Sequence, residues 1–259
     1  MSTLDDRHDS GPPAAANTTD GAAANLRWAT ASLWLALAGA ILSGPVGLLV
    51  VGMTHPQPAW HDAATFVAHY HPIQTLPFFL GFLLVGGLVA ATACLSLLAR
   101  PQARARATVA AALASAFSAL VFLNYVVQTT FVPALVRDHS PASAPLIAAL
   151  TMSNPSSLGW CLEMWAYAIA GVATWLCAAV FDQAGIDRLA RATFVANGPV
   201  SLASAVATTF VPGWVLTSVG LVAFGIWNLL VVVMCGAALL ALRARGSAGA
   251  PALGDRRKP

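Results

Sequence analysis

The stretch SSLGWCLEMWAYAIAGVATWLCAAVF, residues 156–181, is long and apolar enough to cross a membrane, yet it contains a carboxylate at Glu163. A helix needs about 20 consecutive apolar residues to cross the roughly 30 Å hydrocarbon core of a bilayer. No other apolar stretch of the chain contains an acidic residue. A charged side chain at this depth costs about 3 kcal/mol or more, so Glu163 is by default a hypothesis for a functional site.

The rest of the chain has the same membrane character as this stretch. Of its 259 residues, 58% are hydrophobic and only 9% are charged, whereas about a quarter of the residues in soluble domains are charged. Six apolar stretches can be distinguished, at about residues 28–53, 73–99, 107–136, 156–181, 189–211 and 213–242. They lack the alternating pattern of a membrane β-barrel. The sequence therefore predicts an all-α, polytopic membrane protein with six transmembrane helices in one bundle.

The charged residues indicate how this domain is oriented. All but one of the 13 Lys and Arg residues lie in the two tails or in the loops after the second and fourth stretches, and the exception is Arg137. Cytoplasmic loops carry the excess of basic residues, so both termini are expected in the cytoplasm. The membrane domain is expected to span residues 27–243. The polar tails, residues 1–26 and 244–259, are expected to be disordered, and we expect no signal peptide.

A polar cluster is predicted where the third and fourth stretches form an antiparallel hairpin. Asn124 and Gln128 are four residues apart and share a helix face. On the next helix, Glu163 is expected at the depth of Gln128, and Tyr167, one turn deeper, is expected near Asn124. The four residues are predicted to form a ligand or proton site, in which Glu163 carries a proton or meets a cationic group and the amides orient the ligand. The alternative is a protonated Glu163 whose hydrogen bonds only hold the helices together.

A second polar feature lies in the last two stretches. A hinge or second polar site is predicted from five residues, Asn197, Gly198, Pro199, Ser201 and Asn228. A proline inside a helix removes a hydrogen bond, and the triplet Ser-Gly-Pro at residues 43–45 repeats the pattern in the first stretch. The alternative is a simple kink at which small residues allow close helix packing.

Histidines are concentrated in the loop formed by residues 54–72, which contains no Lys or Arg. A weak metal set for zinc or copper is predicted from four side chains, His61, His69, His71 and Asp62. The alternative is a set of solvated histidines at the membrane surface, and no resident cofactor is expected. This loop is predicted to form a short surface helix anchored by Trp60, Phe66 and Tyr70. The APLIAAL segment of the loop at residues 138–155 is also expected to lie on the surface.

Several function classes lack their motifs in this sequence. There is no HExxH zinc motif, no phosphate-binding Walker loop and no GxGxxG dinucleotide motif. The four cysteines lie inside apolar stretches, where they are expected to act as small hydrophobic residues. The net charge of +3 reflects arginines that set the topology and does not indicate nucleic-acid binding. These observations favour a non-enzymatic membrane protein.

Four segments carry a resemblance to a known group of proteins: SLGWCLEMWAYAIAGVATWL at 157–176, ANGPVSLAS at 196–204, VAFGIWNLLVVV at 222–233 and NYVVQTTFVPAL at 124–135. With them the chain resembles uncharacterised bacterial six-helix inner-membrane proteins over most of residues 28–243. The resemblance implies six helices in a bacterial cytoplasmic membrane, and it implies no catalytic residue.

The function expected from these features is binding or transport of a small or lipophilic molecule at a polar cavity around Glu163. The alternative is a non-catalytic accessory subunit or sensor whose buried polar residues only join helices. The lipid bilayer is the expected partner in both cases. The substrate and the oligomeric state stay open at this point.

Overall fold

Eight helices and no strand make up residues 16–248, the part of the chain that the computed structural model describes. Five of them contain a segment that is long and apolar enough to cross a membrane: Gly21–Thr54 in α1 (residues 16–54), Pro72–Leu97 in α3, Pro101–Arg137 in α4, Leu158–Val180 in α6 and Ser218–Gly246 in α8 (residues 218–248). The other three are α2 (Ala63–Ala68), α5 (Ala144–Leu150) and α7 (Gly185–Phe210). The prediction of an all-α protein with membrane-spanning helices is confirmed at this level.

The long helices contain short turns of other helical types. Helix α1 consists of Ala16–Ile41, a π turn at Leu42–Val46 and Gly47–Thr54, and α3 consists of a 3-10 turn at Pro72–Thr75 followed by Leu76–Leu97. Helix α4 consists of Pro101–Val126, a π turn at Val127–Phe131 and Val132–Arg137, and α6 consists of Leu158–Cys177 followed by a 3-10 turn at Ala178–Val180. A 3-10 turn at Trp214–Leu216 precedes α8, which runs from Ser218 to Ala248.

The fifth predicted span, 189–211, corresponds to α7, which is 26 residues long but is not one of the five apolar spans. Its first turns contain Asp187, Arg188 and Arg191, and its middle contains Asn197. These polar residues make α7 less apolar than its neighbours. It packs between α6 and α8 as a full member of the bundle.

The tails expected to be disordered differ from the prediction at their inner ends. The first helix begins at Ala16, so residues 16–26 are helical and extend the apolar part of α1 at its N-terminus. The last helix continues to Ala248. Residues 1–15 and 249–259 lie outside the described part of the chain. The last apolar stretch forms α8 later than predicted, because Gly213 adopts a φ of 71° and begins a 3-10 turn.

The six long helices form a closed ring in sequence order, in which each packs on the next and α8 returns to α1. The tightest crossing is between α1 and α3. A Cβ on Gly87 would lie 2.3 Å from the backbone nitrogen of Ala36, and a Cβ on Gly39 would lie 2.1 Å from that of Leu84. Only glycine allows the two backbones to approach this closely, as is common between membrane helices.

Both π turns occur at prolines inside long helices. Pro45 lies inside the π turn of α1, and Pro133 follows the π turn of α4 by two residues. Proline cannot donate a helix hydrogen bond, and a π turn is one of the ways in which a helix accommodates this. The Ser-Gly-Pro triplet at residues 43–45 therefore marks a local change of helix type.

The connections on one side of the bundle form a cap, defined as residues 55–75 and 138–157. Its two helices, α2 and α5, pack on each other and on the end of α4, and Phe66 and Ile147 are buried between them. Asp62 begins α2 by accepting a hydrogen bond from the Thr65 N–H at 2.7 Å. This bond, together with the neighbouring His61, lowers the pKa of Asp62 to about 2.

The opposite end of the bundle contains both described ends of the chain, since Gly246 lies against Leu26. It is joined by two ion pairs, one between Arg100 and Asp182 and one between Arg245 and Asp187. Asp187 is largely buried and also accepts a hydrogen bond from the Asp182 N–H at 3.0 Å. These pairs connect the α6–α7 turn to the α3–α4 turn and to α8.

Candidate functional site

Glu163 lies on the side of α6 that faces α4, where only 8% of its surface is exposed. Its Oε2 accepts a hydrogen bond from Asn124 Nδ2 at 2.9 Å, and its Oε1 accepts one from the Tyr125 hydroxyl at 2.9 Å. Both carboxylate oxygens therefore meet donors from α4. Each carboxyl oxygen of Glu163 thus has one hydrogen-bond partner on α4.

The amide contact to Glu163 is the end of a longer chain of hydrogen bonds. The backbone N–H of Met152 in the cap donates to Gln128 Oε1 at 3.1 Å, and Gln128 Nε2 donates to Asn124 Oδ1 at 3.3 Å. Gln128 Nε2 also donates to the carbonyl of Leu150 at 2.9 Å. Gln128 and Asn124 thus link the cap backbone to the buried acid by hydrogen bonds.

A second chain reaches Glu163 through hydroxyl groups. The Tyr167 hydroxyl lies 3.4 Å from that of Tyr125. Because Tyr125 donates its proton to Glu163, the proton in the contact between the two tyrosines comes from Tyr167. The Tyr167 ring is held between Phe117 and Trp227, at centroid distances of 5.2 and 4.7 Å. Two chains of donors thus converge on one carboxylate.

The structure brings the four predicted residues Glu163, Tyr167, Asn124 and Gln128 into one network, with two differences from the expected contacts. Gln128 reaches Glu163 only through Asn124, and Tyr167 reaches it only through Tyr125. Sequence reasoning missed Tyr125. Its position three residues before Gln128 was the available signal, because residues three apart lie on nearly the same helix face.

The second predicted polar site is divided between two environments. Asn197 Nδ2 donates to Thr174 Oγ1 at 3.0 Å, while the indole N–H of Trp227 donates to Asn197 Oδ1 at 3.0 Å and to Ser201 Oγ at 3.1 Å. These residues join α6, α7 and α8. Asn197 and Thr174 also border a small cavity of about 10 Å³, which is close to the space that a single water needs.

The Gly-Pro pair of α7 does not interrupt the helix. Pro199 is exposed on the face that points away from the bundle, and α7 is continuous through it. Gly198 is buried, and a Cβ there would lie 2.8 Å from the Trp175 ring. The structure therefore contains, at Gly198, the close helix packing that was the alternative to a hinge.

Asn228 of α8 has its own role beside the π turn of α1. Its Nδ2 donates to the carbonyl of Ala40 at 3.1 Å. This bond joins α8 to α1 just before the π turn that contains Pro45.

Sequence reasoning also missed Thr174 and Trp227 as members of the polar network. Glu163, Tyr167, Ala170 and Thr174 are all buried and follow one another at intervals of four, three and four residues. This spacing places them on one face of α6. The face was readable from the sequence as a polar stripe that continues below Glu163.

The network borders a cavity of about 330 Å³ at the cap end of the bundle. Its wall includes Glu163, Tyr125 and Gln128 from the first polar cluster and Ser201 and Asn228 from the second. The remaining wall is largely apolar. No Lys, Arg or His lines it among residues 16–248. Within the same range, Glu163 is the only Asp, Glu, Lys, Arg or His side chain on this wall.

Five aromatic side chains form a continuous wall along this cavity, which we call the aromatic wall: Phe78, Tyr125, Tyr167, Trp227 and Phe224. Phe78 and Tyr125 have a ring-centroid distance of 5.6 Å, and Phe224 and Trp227 one of 6.0 Å. The hydroxyl contact of the two tyrosines and the edge contact of Tyr167 with Trp227 complete the row. The row therefore places aromatic rings beside the carboxyl group, with Tyr125 in direct contact with it.

The cap closes the cavity through a segment that Gln74 holds together. Gln74 Nε2 donates to the carbonyls of His55 and His69, at 2.9 and 3.0 Å. Gln74 Oε1 accepts from the His71 N–H at 3.1 Å and from Gln57 Nε2 at 2.7 Å. Gln57 and Gln74 both line the cavity. One side chain thus fixes the path of the loop over the site.

The predicted surface anchors of this loop face the protein. Phe66 is buried, and its ring lies 6.2 Å from that of Trp60 and 5.7 Å from that of Tyr70. The reason is the pairing of α2 with α5, which buries the apolar face of α2. Phe66 and Tyr70 line the cavity, and in the described residues the Tyr70 hydroxyl is the one buried side-chain polar atom without a hydrogen-bond partner.

The four residues of the weak metal set are not brought together. His61 pairs with its neighbour Asp62 at 2.9 Å, and His69 Nδ1 contacts a carbonyl of its own helix at 2.9 Å. His71 stacks on His55 with a centroid distance of 3.6 Å. Within residues 16–248, no group of three or more His, Cys, Asp or Glu side chains is arranged to hold a metal ion.

No protein-family model matches this chain, and neither a curated protein nor a solved structure is significantly similar to it. The function is therefore inferred from the chemistry of the cavity and of the residues around it.

Proposed function

We propose that this protein binds, and moves across or within the membrane, a small lipophilic molecule held in the cavity beside Glu163. The single observation that carries the proposal is a cavity of about 330 Å³ with one buried carboxylate on its wall. Ligand pockets are typically concave, mostly apolar and furnished with a few polar groups that orient the ligand. The volume falls at the lower end of the usual range for such sites.

The exposed apolar surface around the cavity supports entry from the lipid. Leu48 of α1 and Leu221 and Phe224 of α8 line the cavity, and they are also among the exposed large hydrophobic residues. We propose that the mouth of the site lies between these halves of α1 and α8. A lipophilic molecule dissolved in the bilayer would then reach Glu163 without crossing the cap.

The membrane arrangement in this proposal has six spans, with α7 as the fifth. The ring of six long helices supports it, because α7 packs along both α6 and α8. The clustering of arginines at the end opposite the cap supports a cytoplasmic location for both termini in a bacterial membrane. Accessibility labelling tests this: a cysteine at His139 in the cap should react with an impermeant reagent added outside intact cells, and one at Arg188 should not.

The alternative, an accessory subunit or sensor whose buried polar residues only join helices, is less well supported. Interhelical joining needs contacts alone, whereas here Glu163, Tyr125 and Gln128 border open space as well as one another. A purely structural network would gain nothing from that space, because a void forfeits packing contacts.

Native mass spectrometry of the protein released from detergent tests the proposal. The expected result is a reproducible bound mass that is lost in Ser204→Phe, which fills the cavity. Ser115→Phe is the matched control, because both serines bond a backbone carbonyl four residues earlier in a helix but only Ser204 lines the cavity. Retention of the mass in Ser204→Phe, or no bound mass in any preparation together with no binding of added lipophilic molecules, would refute the proposal.

A further inference from the structure

We infer that the ligand of this cavity is an organic cation with a flat aromatic or otherwise apolar body, for which Glu163 is the counter-charge and the aromatic wall is the binding surface. This inference rests on the proposed function and specifies the chemical class of the ligand. It is carried by the charge balance of the cavity and by the identity of its lining.

The charge balance comes first. Glu163 accepts hydrogen bonds at both oxygens, and the donors behind them, Asn124 and Tyr125, are themselves supported by further donors. These groups are neutral, and the lining within residues 16–248 contains no base. A buried carboxylate in its ionised form is stabilised by a positively charged partner, which offsets its desolvation. In this cavity the space for such a partner is the ligand volume itself.

The lining gives the second argument. Cations are attracted to the faces of Trp, Tyr and Phe rings, and quaternary ammonium ligands are recognised by several rings around one charge. Tyr125 and Tyr167 join Glu163 directly or through one hydroxyl, and Trp227 lies at 4.7 Å from the Tyr167 ring. A cation placed beside the carboxylate would therefore contact π-systems as well as the negative charge. A neutral ligand would use the rings but leave the carboxylate without a positively charged partner.

Another part of the cavity wall is suited to the apolar body of such a ligand. Phe66, Trp214 and Leu216 line the wall near the cap and near the start of α8. The Tyr70 hydroxyl is buried there without a partner. A buried polar atom without a partner calls for a group to bond, and here a polar substituent at the far end of the ligand can fill that role. The cavity wall thus combines one carboxyl group, a largely apolar surface and one hydroxyl without a partner.

Three probes of nearly equal shape test the inference: the cation N-methyl-4-phenylpyridinium, the neutral 4-methylbiphenyl and the anion biphenyl-4-carboxylate. Binding is measured by titration calorimetry with the full-length protein in nanodiscs, against empty nanodiscs. We expect the cation to bind about tenfold more tightly than the neutral probe, the preference that a favourable charge contact provides. In Glu163→Gln this preference should disappear while the affinity for the neutral probe is unchanged. Met164→Leu, next to Glu163 on the same cavity wall, is the control in which both affinities change together.

The other outcomes are decisive in different ways. If the neutral probe or the anion binds as tightly as the cation, or if Glu163→Gln keeps the preference, the cation inference is wrong. If the neutral probe still binds and Ser204→Phe weakens it, the proposed binding of a lipophilic molecule stands without the cation. If none of the three probes binds, the cation inference is wrong, and the co-purified mass in native mass spectrometry decides the proposed function independently.

Discussion

Replacing Glu163 by leucine removes the acceptor at which two chains of hydrogen bonds end. Asn124 Nδ2 and the Tyr125 hydroxyl each lose a partner at 2.9 Å. Glutamine restores both contacts, because its amide oxygen accepts from Asn124 while its NH₂ group donates to the Tyr125 oxygen. Leucine is similar in size but can form neither bond. The two substitutions therefore separate the hydrogen bonds from the volume of the side chain.

The expected size of the effect follows from the number of bonds lost. A hydrogen bond between membrane helices contributes about 0.6 kcal/mol on average and up to about 1.7. Two lost bonds thus lower the free energy of unfolding by about 1–3 kcal/mol in Glu163→Leu. At about 2–4 °C per kcal/mol for a chain of this size, Tm falls by about 2–12 °C. Glu163→Gln should shift Tm by less than about 3 °C.

Thermal unfolding in detergent, followed by tryptophan fluorescence, measures both variants beside the wild-type protein. Met164→Leu is the control, because this neighbour lines the same cavity without a polar contact to lose. Equal Tm values for wild type, Glu163→Gln and Glu163→Leu would refute the reasoning. So would a more stable leucine variant, since it would mean that burying the carboxylate costs more than its two hydrogen bonds return.

Three further predictions concern the cap, the α1–α3 crossing and the opposite end of the bundle. Because the pKa of Asp62 is lowered to about 2, its contribution to α2 is complete above about pH 4 and lost as the pH falls towards 2; hydrogen exchange in α2 should show this loss in wild type and not in Asp62→Asn. Gly87→Val should lower Tm strongly and Gly86→Val only slightly, because a Cβ meets backbone at 2.3 Å in the first case and a ring atom at 3.9 Å in the second. Arg245→Ala should lower Tm more than Arg100→Ala, because only Arg245 pairs with a largely buried carboxylate.

Hydrophobicity and chain length were sufficient to predict that the chain is helical, and hairpin geometry was sufficient to predict that Glu163 and the amides of α4 belong to one polar cluster. The register within the hairpin was not predictable to better than one turn. Gln128 was expected at the depth of Glu163, whereas it contacts the cap at Leu150 and Met152. The cause is the fold of the connection: residues 138–157 return over the end of α4 before α6 begins at Leu158.

The cavity itself could not be predicted from the sequence, because its wall is made of residues from distant segments. Ser43 and Phe224, which both line it, are far apart in the chain and meet only because α8 closes the ring against α1. The order of helices around the bundle decides such contacts, and the apolar pattern of each helix does not contain it. The histidines of the predicted metal set lie apart for a related reason, because the hydrogen bonds of Gln74 determine the path of the loop.

The π turn at Val127–Phe131 divides α4 into two parts whose inward faces are offset from each other. An ordinary helix couples all its side chains through one fixed rotation of about 100° per residue. A π turn accommodates one residue more than an α turn, so the part carrying Asn124 faces α6 while Val132 and Pro133 are buried beneath the cap. Without the extra residue, the side chains beyond Phe131 would be rotated by about 100° relative to α6. The same continuous helix could then not place Asn124 against α6 and Val132 beneath the cap.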